Sequence, residues 1–171
     1  GRVTGSIGRP SITIRGAISS FAAGGVIVDQ PVVDITLSPR GSAYVGRAGI
    51  RGASNGQALA ASSGIALNGG VITLSQLDAT WGGMEAQGTA RVAENGLSAE
   101  LDVRGNLEGL VAGVAGRFMG DVSLTPSAVT LDAQIADARA GDLHVRAATL
   151  HAQGPLDAIA TTFDMRGRVR D

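Results

Sequence analysis

The chain has 171 residues, enough to bury one ordinary core, and a formal net charge of −1. Its basic residues are all arginine and stand singly, which argues against nucleic acid as a partner, and the absence of cysteine removes disulfides and thiolate metal sites. Aromatic residues are only 3% while glycine is abundant at 26, so the apolar material is Ala, Val, Ile and Leu, suited to a thin or open sheet more than to a thick core.

From the N-terminus, Gly5–Pro10 leads into a run in which Ile12, Ile14 and Ile18 alternate with Thr13, Arg15 and Ser19. Val33, Ile35 and Leu37 then alternate with Asp34, Thr36 and Ser38 before a turn signal at Ser38–Gly41. Period two over such lengths is the mark of a half-buried strand. Gly52-Ala53-Ser54-Asn55-Gly56 matches the G-x-S-x-G nucleophile elbow, and Asp132, Asp137 or Asp142 followed by His144 or His151 completes the hydrolase order. That elbow requires a parallel sheet backed by crossover helices, which this pattern does not supply, so an Asn-Gly turn is the better reading. Gln57–Ser63 is a candidate short helix, and Asn68-Gly69-Gly70 and Gly82-Gly83 are turns.

The clearest hairpin follows. Met84, Ala86, Gly88, Ala90 and Val92 alternate with Glu85, Gln87, Thr89 and Arg91. After Asn95-Gly96, Leu97, Ala99, Leu101 and Val103 alternate with Ser98, Glu100, Asp102 and Arg104. An Asn-Gly pair here predicts a type I′ turn. Asn106–Ala112 allows one helical turn capped by Asn106, and Gly105, Gly109 and Gly113 forbid more. The small-residue spacing Gly109, Gly113, Gly116, Gly120 is interrupted for a membrane helix by Arg117 and Asp121, and the apolar run Gly109–Gly116 is far short of the roughly 20 residues a span needs. Val129, Leu131, Ala133 and Ile135 form another alternating strand. His144 and His151 are at an odd spacing that puts them on opposite faces of a continuous strand, which argues against a shared metal. After Gly154-Pro155, Phe163, Met165 and Val169 alternate with Asp164, Arg166 and Arg168.

About a dozen strands result, joined mainly as antiparallel neighbours into one unit over residues 1–171. With no signal peptide, and with strand-like patterns at both ends, the chain reads as a segment of a longer protein. Exposed apolar area costs about 25 cal/mol per Å², so the apolar face must pack on a second sheet, fold over, or hold something apolar. Alternation alone leaves a closed sandwich and an open groove equally possible. Trp81 reads as a core filler more than as a lipid contact.

Three stretches carry a resemblance: Leu77–Val92, an apolar strand followed by a small-residue strand; Leu97–Leu110, a strand and short turn; and Gly5–Pro10 before its strand, echoed at Gly154-Pro155-Leu156. In these the chain resembles the TamB group of the AsmA-like family of periplasmic proteins. The resemblance implies an all-β, elongated, mainly antiparallel sheet curled into a taco-like groove with an apolar interior. It implies a non-enzymatic protein without metal or cofactor, anchored in the inner membrane by a segment not present here. Such a protein conducts phospholipid between the membranes and supports outer-membrane protein and autotransporter assembly. The partners implied are phospholipid acyl chains and an outer-membrane assembly partner met through other regions. The expected groove lining is Ile12, Ile14, Ile18, Val33, Ile35, Leu37, Met84, Ala86, Ala90, Val92, Leu97, Ala99, Leu101, Val103, Val129, Leu131, Ala133, Ile135, Phe163, Met165 and Val169. Two alternatives stand beside it: a scaffold that pairs client β-strands, and an adhesin-like structural β-solenoid.

Overall fold

A computed structural model describes residues 1–171 apart from 7, 24–25, 110–111, 156–159 and 170–171; for 6, 21–23, 26, 163 and 165–169 it describes the backbone alone. The chain forms thirteen strands: β1 Arg2–Ser6, β2 Arg9–Ala17, β3 Ser20–Ala23, β4 Val26–Arg40, β5 Ala43–Ser54, β6 Gln57–Asn68, β7 Val71–Trp81, β8 Met84–Ala93, β9 Gly96–Asn106, β10 Ala115–Leu124, β11 Val129–Ala140, β12 Leu143–Gly154 and β13 Ala160–Val169. They make one antiparallel sheet in chain order, not closed into a barrel, except that β2 and β3 lie in succession along the same edge of β4. A parallel solenoid is therefore ruled out. The only helical element among the described residues is a 3-10 turn at Leu107–Gly109, one residue after Asn106, which itself ends β9. The remainder of the helical candidate, Leu110 and Val111, lies outside the described residues.

Most of the hairpins from β4 to β9 close in tight two-residue turns. Asn55-Gly56, Gly69-Gly70 and Gly82-Gly83 each place two residues at positive φ. The G-x-S-x-G segment is thus the tip of the β5–β6 hairpin, with Ser54 2% exposed at its foot. The β8–β9 hairpin forms as the alternation predicts, but its turn sits one residue earlier than the Asn-Gly signal places it. Ala93 pairs with Gly96, and the loop is Glu94-Asn95, neither at positive φ. The reason is register. A loop at Asn95-Gly96 sets Leu97 against Glu94, whereas the observed register sets Leu97 against Val92 and keeps apolar residues on one face. Likewise the turn after β4 is Gly41-Ser42, with Pro39 still in the strand opposite Tyr44.

Gln57–Ser63 is strand, not helix. Its Leu59 and Ala61 face the same side as Ile65 and Leu67, but small neighbours at Ala58, Ala60 and Ser62 blur the alternation, and pairing with β5 and β7 decides the outcome.

The sheet is a single layer. Among the described residues extensive contacts join only sheet neighbours, plus the 3-10 turn against β10. The accessible surface is 11439 Å², against about 7,800 Å² for a compact monomer of this mass.

Candidate functional site

Cross-strand register aligns the apolar residues in transverse rows on one face. One row passes from Ile14 through Ile35 and Ala48 to Ser63, and continues from Leu77 through Gly88, Leu101, Val122 and Leu131 to Ala152. The next begins at Val33 and runs through Ile50, Ala61, Ala79, Ala86, Val103, Gly120 and Ala133 to Leu150. Two glycines in these rows allow unusually close strand approach. A Cβ on Gly88, whose φ is +155°, would meet the Glu100 carbonyl, and one on Gly120 would lie 2.8 Å from the Ala133 Cα.

Bulges keep the face continuous. Ser75-Gln76 in β7, with Gln76 at φ 50°, returns Leu77 to the side of Leu74. In β11 and β12, Asp137 at φ 53° and Arg146 fall at the same level, so that Ala138 stays paired with Val145 and both remain on the apolar face with Ile135 and Ala148. The β12 bulge also corrects the reading of the histidines. A one-residue bulge inside an odd spacing puts His144 and His151 on the same, polar face. Seven residues of strand still separate them by roughly 20 Å, and no group of three or more metal-ligating side chains is gathered among the described residues.

Of the expected lining, Ile12 and Ile14 in β2, Val33, Ile35 and Leu37 in β4, and the named residues of β8, β9 and β11 share this one face by register. Ile18 lies just beyond β2, its backbone N–H donating to the Pro31 carbonyl at 3.0 Å. The side chains of Phe163, Met165 and Val169 lie outside the described residues, though Phe163 is in register with Leu150 and Met165 with Ala148. Sequence reading missed the contributions of β5, β6, β7, β10 and β12, among them Ile50, Leu74, Leu77, Phe118 and Ala148. Bulges break the parity of β7 and β12, and small residues dilute that of β5 and β6. Trp81 is half-buried on this face and donates its indole N–H to the Ser54 carbonyl at 3.1 Å, so it ties the β5–β6 tip to β7.

Buried apolar residues are few among the described residues: Val28, Pro31, Ala99, Ala133, Val145, Ala148 and Ala152. The rest of the apolar face is half-buried or exposed. It holds two shallow concavities of about 250 and 210 Å³, one between the 3-10 turn and β11–β12, the other over β4–β7.

The opposite face is polar and also aligned. Arg15, Asp34, Gly49, Ser62, Asp78, Gln87, Asp102, Asp121, Asp132 and His151 stand in one row. Arg15 pairs with Asp34 at 2.8 Å, and beside the row Arg104 pairs with Glu85 at 2.6 Å. Three aspartates directly opposite one another are unfavourable as like charges. The hydrogen bond Asp121 makes with Asp102, reinforced by slight desolvation and by the charges of Asp102 and Asp132, raises the Asp121 pKa. At the end of the row His151 Nδ1 lies 2.6 Å from Asp132, and that hydrogen bond and charge raise the His151 pKa. A cleft of about 610 Å³ follows these residues and is larger than the two concavities of the apolar face.

No helix among the described residues is long and apolar enough to cross a membrane. No protein-family model, no curated protein and no solved structure matches the chain.

Proposed function

We propose that the chain is a non-enzymatic segment of a TamB-like envelope protein whose apolar sheet face carries phospholipid acyl chains between the inner and outer membranes. The observation that carries this reading is the uncovered apolar face, continuous through register and bulges across the sheet, with no second layer against it. Such a face in water is costly, and acyl chains relieve it at about 0.8 kcal/mol for each CH₂ buried. Lined by Ala, Val, Leu and Ile, it offers apolar contact without polar groups that would select one tail over another. Twelve strands abreast at about 4.8 Å extend on the order of 50 Å, a segment of a longer conduit. In this reading the sheet curls towards the apolar side as a taco-like groove, the chain stands in the periplasm as part of a protein anchored in the inner membrane, and outer-membrane assembly partners are met elsewhere on that protein.

The reading is tested by purifying the chain from cells and identifying bound lipid by mass spectrometry. Phospholipid should co-purify with the wild type and be lost on Leu101→Asp, with strand content unchanged. Equal phospholipid on both proteins would contradict it.

A further inference from the structure

We propose that the apolar face is closed at one end of its strands and open at the other, so that phospholipid acyl chains lie along β7–β9 with their methyl ends at Trp81 and their headgroups towards the Gly69-Gly70 and Glu94-Asn95 turns. The inference rests on the acyl-chain reading of the face and adds to it an orientation and the residues that set it.

The closed end is built by the connection after β9. Gln57 shares the apolar side of β6 with Leu59 and Ala61, and its Nε2 donates to the Gly109 carbonyl at 3.4 Å, so the 3-10 turn Leu107–Gly109 lies on that side of the sheet. Leu107 is on the same side, where it lines a cavity with Ile135, Val145 and Ala148. Two glycines let the turn sit this close. A Cβ on Gly82 would strike the Gln57 amide, and one on Gly109 would strike the Gly82 carbonyl. Water is shut out there. Gln57 Oε1 is buried without a partner, and Pro31 and Ser54, both almost wholly buried, lie at the same end, with the Ser54 carbonyl accepting the Trp81 indole N–H.

At the other end of these strands the register sets Leu67, Ile72, Val92 and Leu97 in one row, next to the Gly69-Gly70 and Glu94-Asn95 turns. That row is open: Val92 and Leu97 are 39% and 43% exposed.

The headgroup selects the direction. An acyl tail is content at either end, but the headgroup carries a charged phosphate, and covering charged or polar groups without partners is costly. With the methyl end at Trp81 the headgroup stays in water. Reversed, it would meet the 3-10 turn. A tail lying across the strands would show no preference between the two ends.

The test uses Trp81, the single tryptophan of the chain, as a built-in reporter. Phosphatidylcholines brominated either near the methyl end or near the glycerol are delivered as monomers from cyclodextrin, bound lipid is counted by phosphate assay after gel filtration, and Trp81 fluorescence is read. At equal occupancy, methyl-end bromines should quench at least about twofold more than glycerol-end bromines, because the cost of covering the headgroup holds the reversed orientation to roughly a tenth. Gln57→Glu, close to isosteric, sets a carboxylate against the Gly109 carbonyl and frees the turn, so the ratio should fall towards unity. The wild-type ratio decides the matter even if that variant misfolds, and an unchanged ratio in a folded variant would remove the turn as the cause. Bound lipid with equal quenching by the two lipids, or stronger quenching from the glycerol end, would overturn the orientation and leave the carrier reading standing; no bound lipid would overturn both.

Discussion

The two ends of the sheet follow the same alternation and reach different packing. In β8–β12 the apolar rows are drawn tight: Gly88 and Gly120 let neighbouring backbones close in, and five of the seven apolar residues buried among the described side chains, four of them alanine, lie in β9, β11 and β12. Towards the N-terminus, through β4, the apolar residues are larger, yet Val3, Ile14, Ile18, Ile27 and Val32 stand exposed and, among the described side chains, only Val28 and Pro31 are buried. Side-chain size does not decide burial in a one-layer sheet. Close strand approach does.

The largest break in this comparison is expected from valine in place of the two kinds of glycine. Gly120→Val drives a side chain into the Asp132 carbonyl and the Ala133 backbone and should cost about 3 kcal/mol or more. Gly16→Val meets nothing within 4 Å and should stay within about 0.5 kcal/mol of wild type in urea denaturation. Equal losses at the two sites would remove the distinction. A smaller contrast is expected from truncation. Leu131→Ala, in the tight half, should cost about 2 kcal/mol, and Ile14→Ala, nearly half exposed, under about 1.

The smallest effect concerns the polar row, and its sign is fixed. Asp121 and His151 both hold their protons more tightly in the folded state than their ordinary values of 3.8 and 6.5. Each therefore adds stability that is complete below its ordinary value and lost as pH rises through its raised one. Melting temperature should fall as pH rises from about 6.5 through the raised His151 value, and His151→Gln should flatten that limb. Asp121→Asn should flatten the acid limb and raise the melting temperature modestly at pH 7, where it removes a like charge from between Asp102 and Asp132. A melting temperature that rises with pH across the His151 range would contradict the assignment.

The sheet itself was legible in the sequence because alternation is a direct imprint of a two-sided strand. Met84–Val92 and Leu97–Arg104 gave β8 and β9 almost to the residue. What escaped was whatever depends on a neighbour. The Glu94-Asn95 loop is set by Val92 meeting Leu97, the strand at Gln57–Ser63 by pairing on both sides, and Leu77 and Val145 reach the apolar face only through bulges. The same limit applied to the site. Half the apolar face could be named from parity, but the lack of a second layer among the described residues is a property of topology, invisible in any single strand.

The most direct test of the apolar face as a lipid carrier is in-cell photocrosslinking from paired positions on its two sides. Leu101 and Leu131 lie on the apolar face, and Glu100 and Asp132, each adjacent in its strand, lie on the polar one. Phospholipid captured from Leu101 and Leu131 and not from Glu100 and Asp132 is the predicted result. Capture from Glu100 and Asp132 alone would contradict the account.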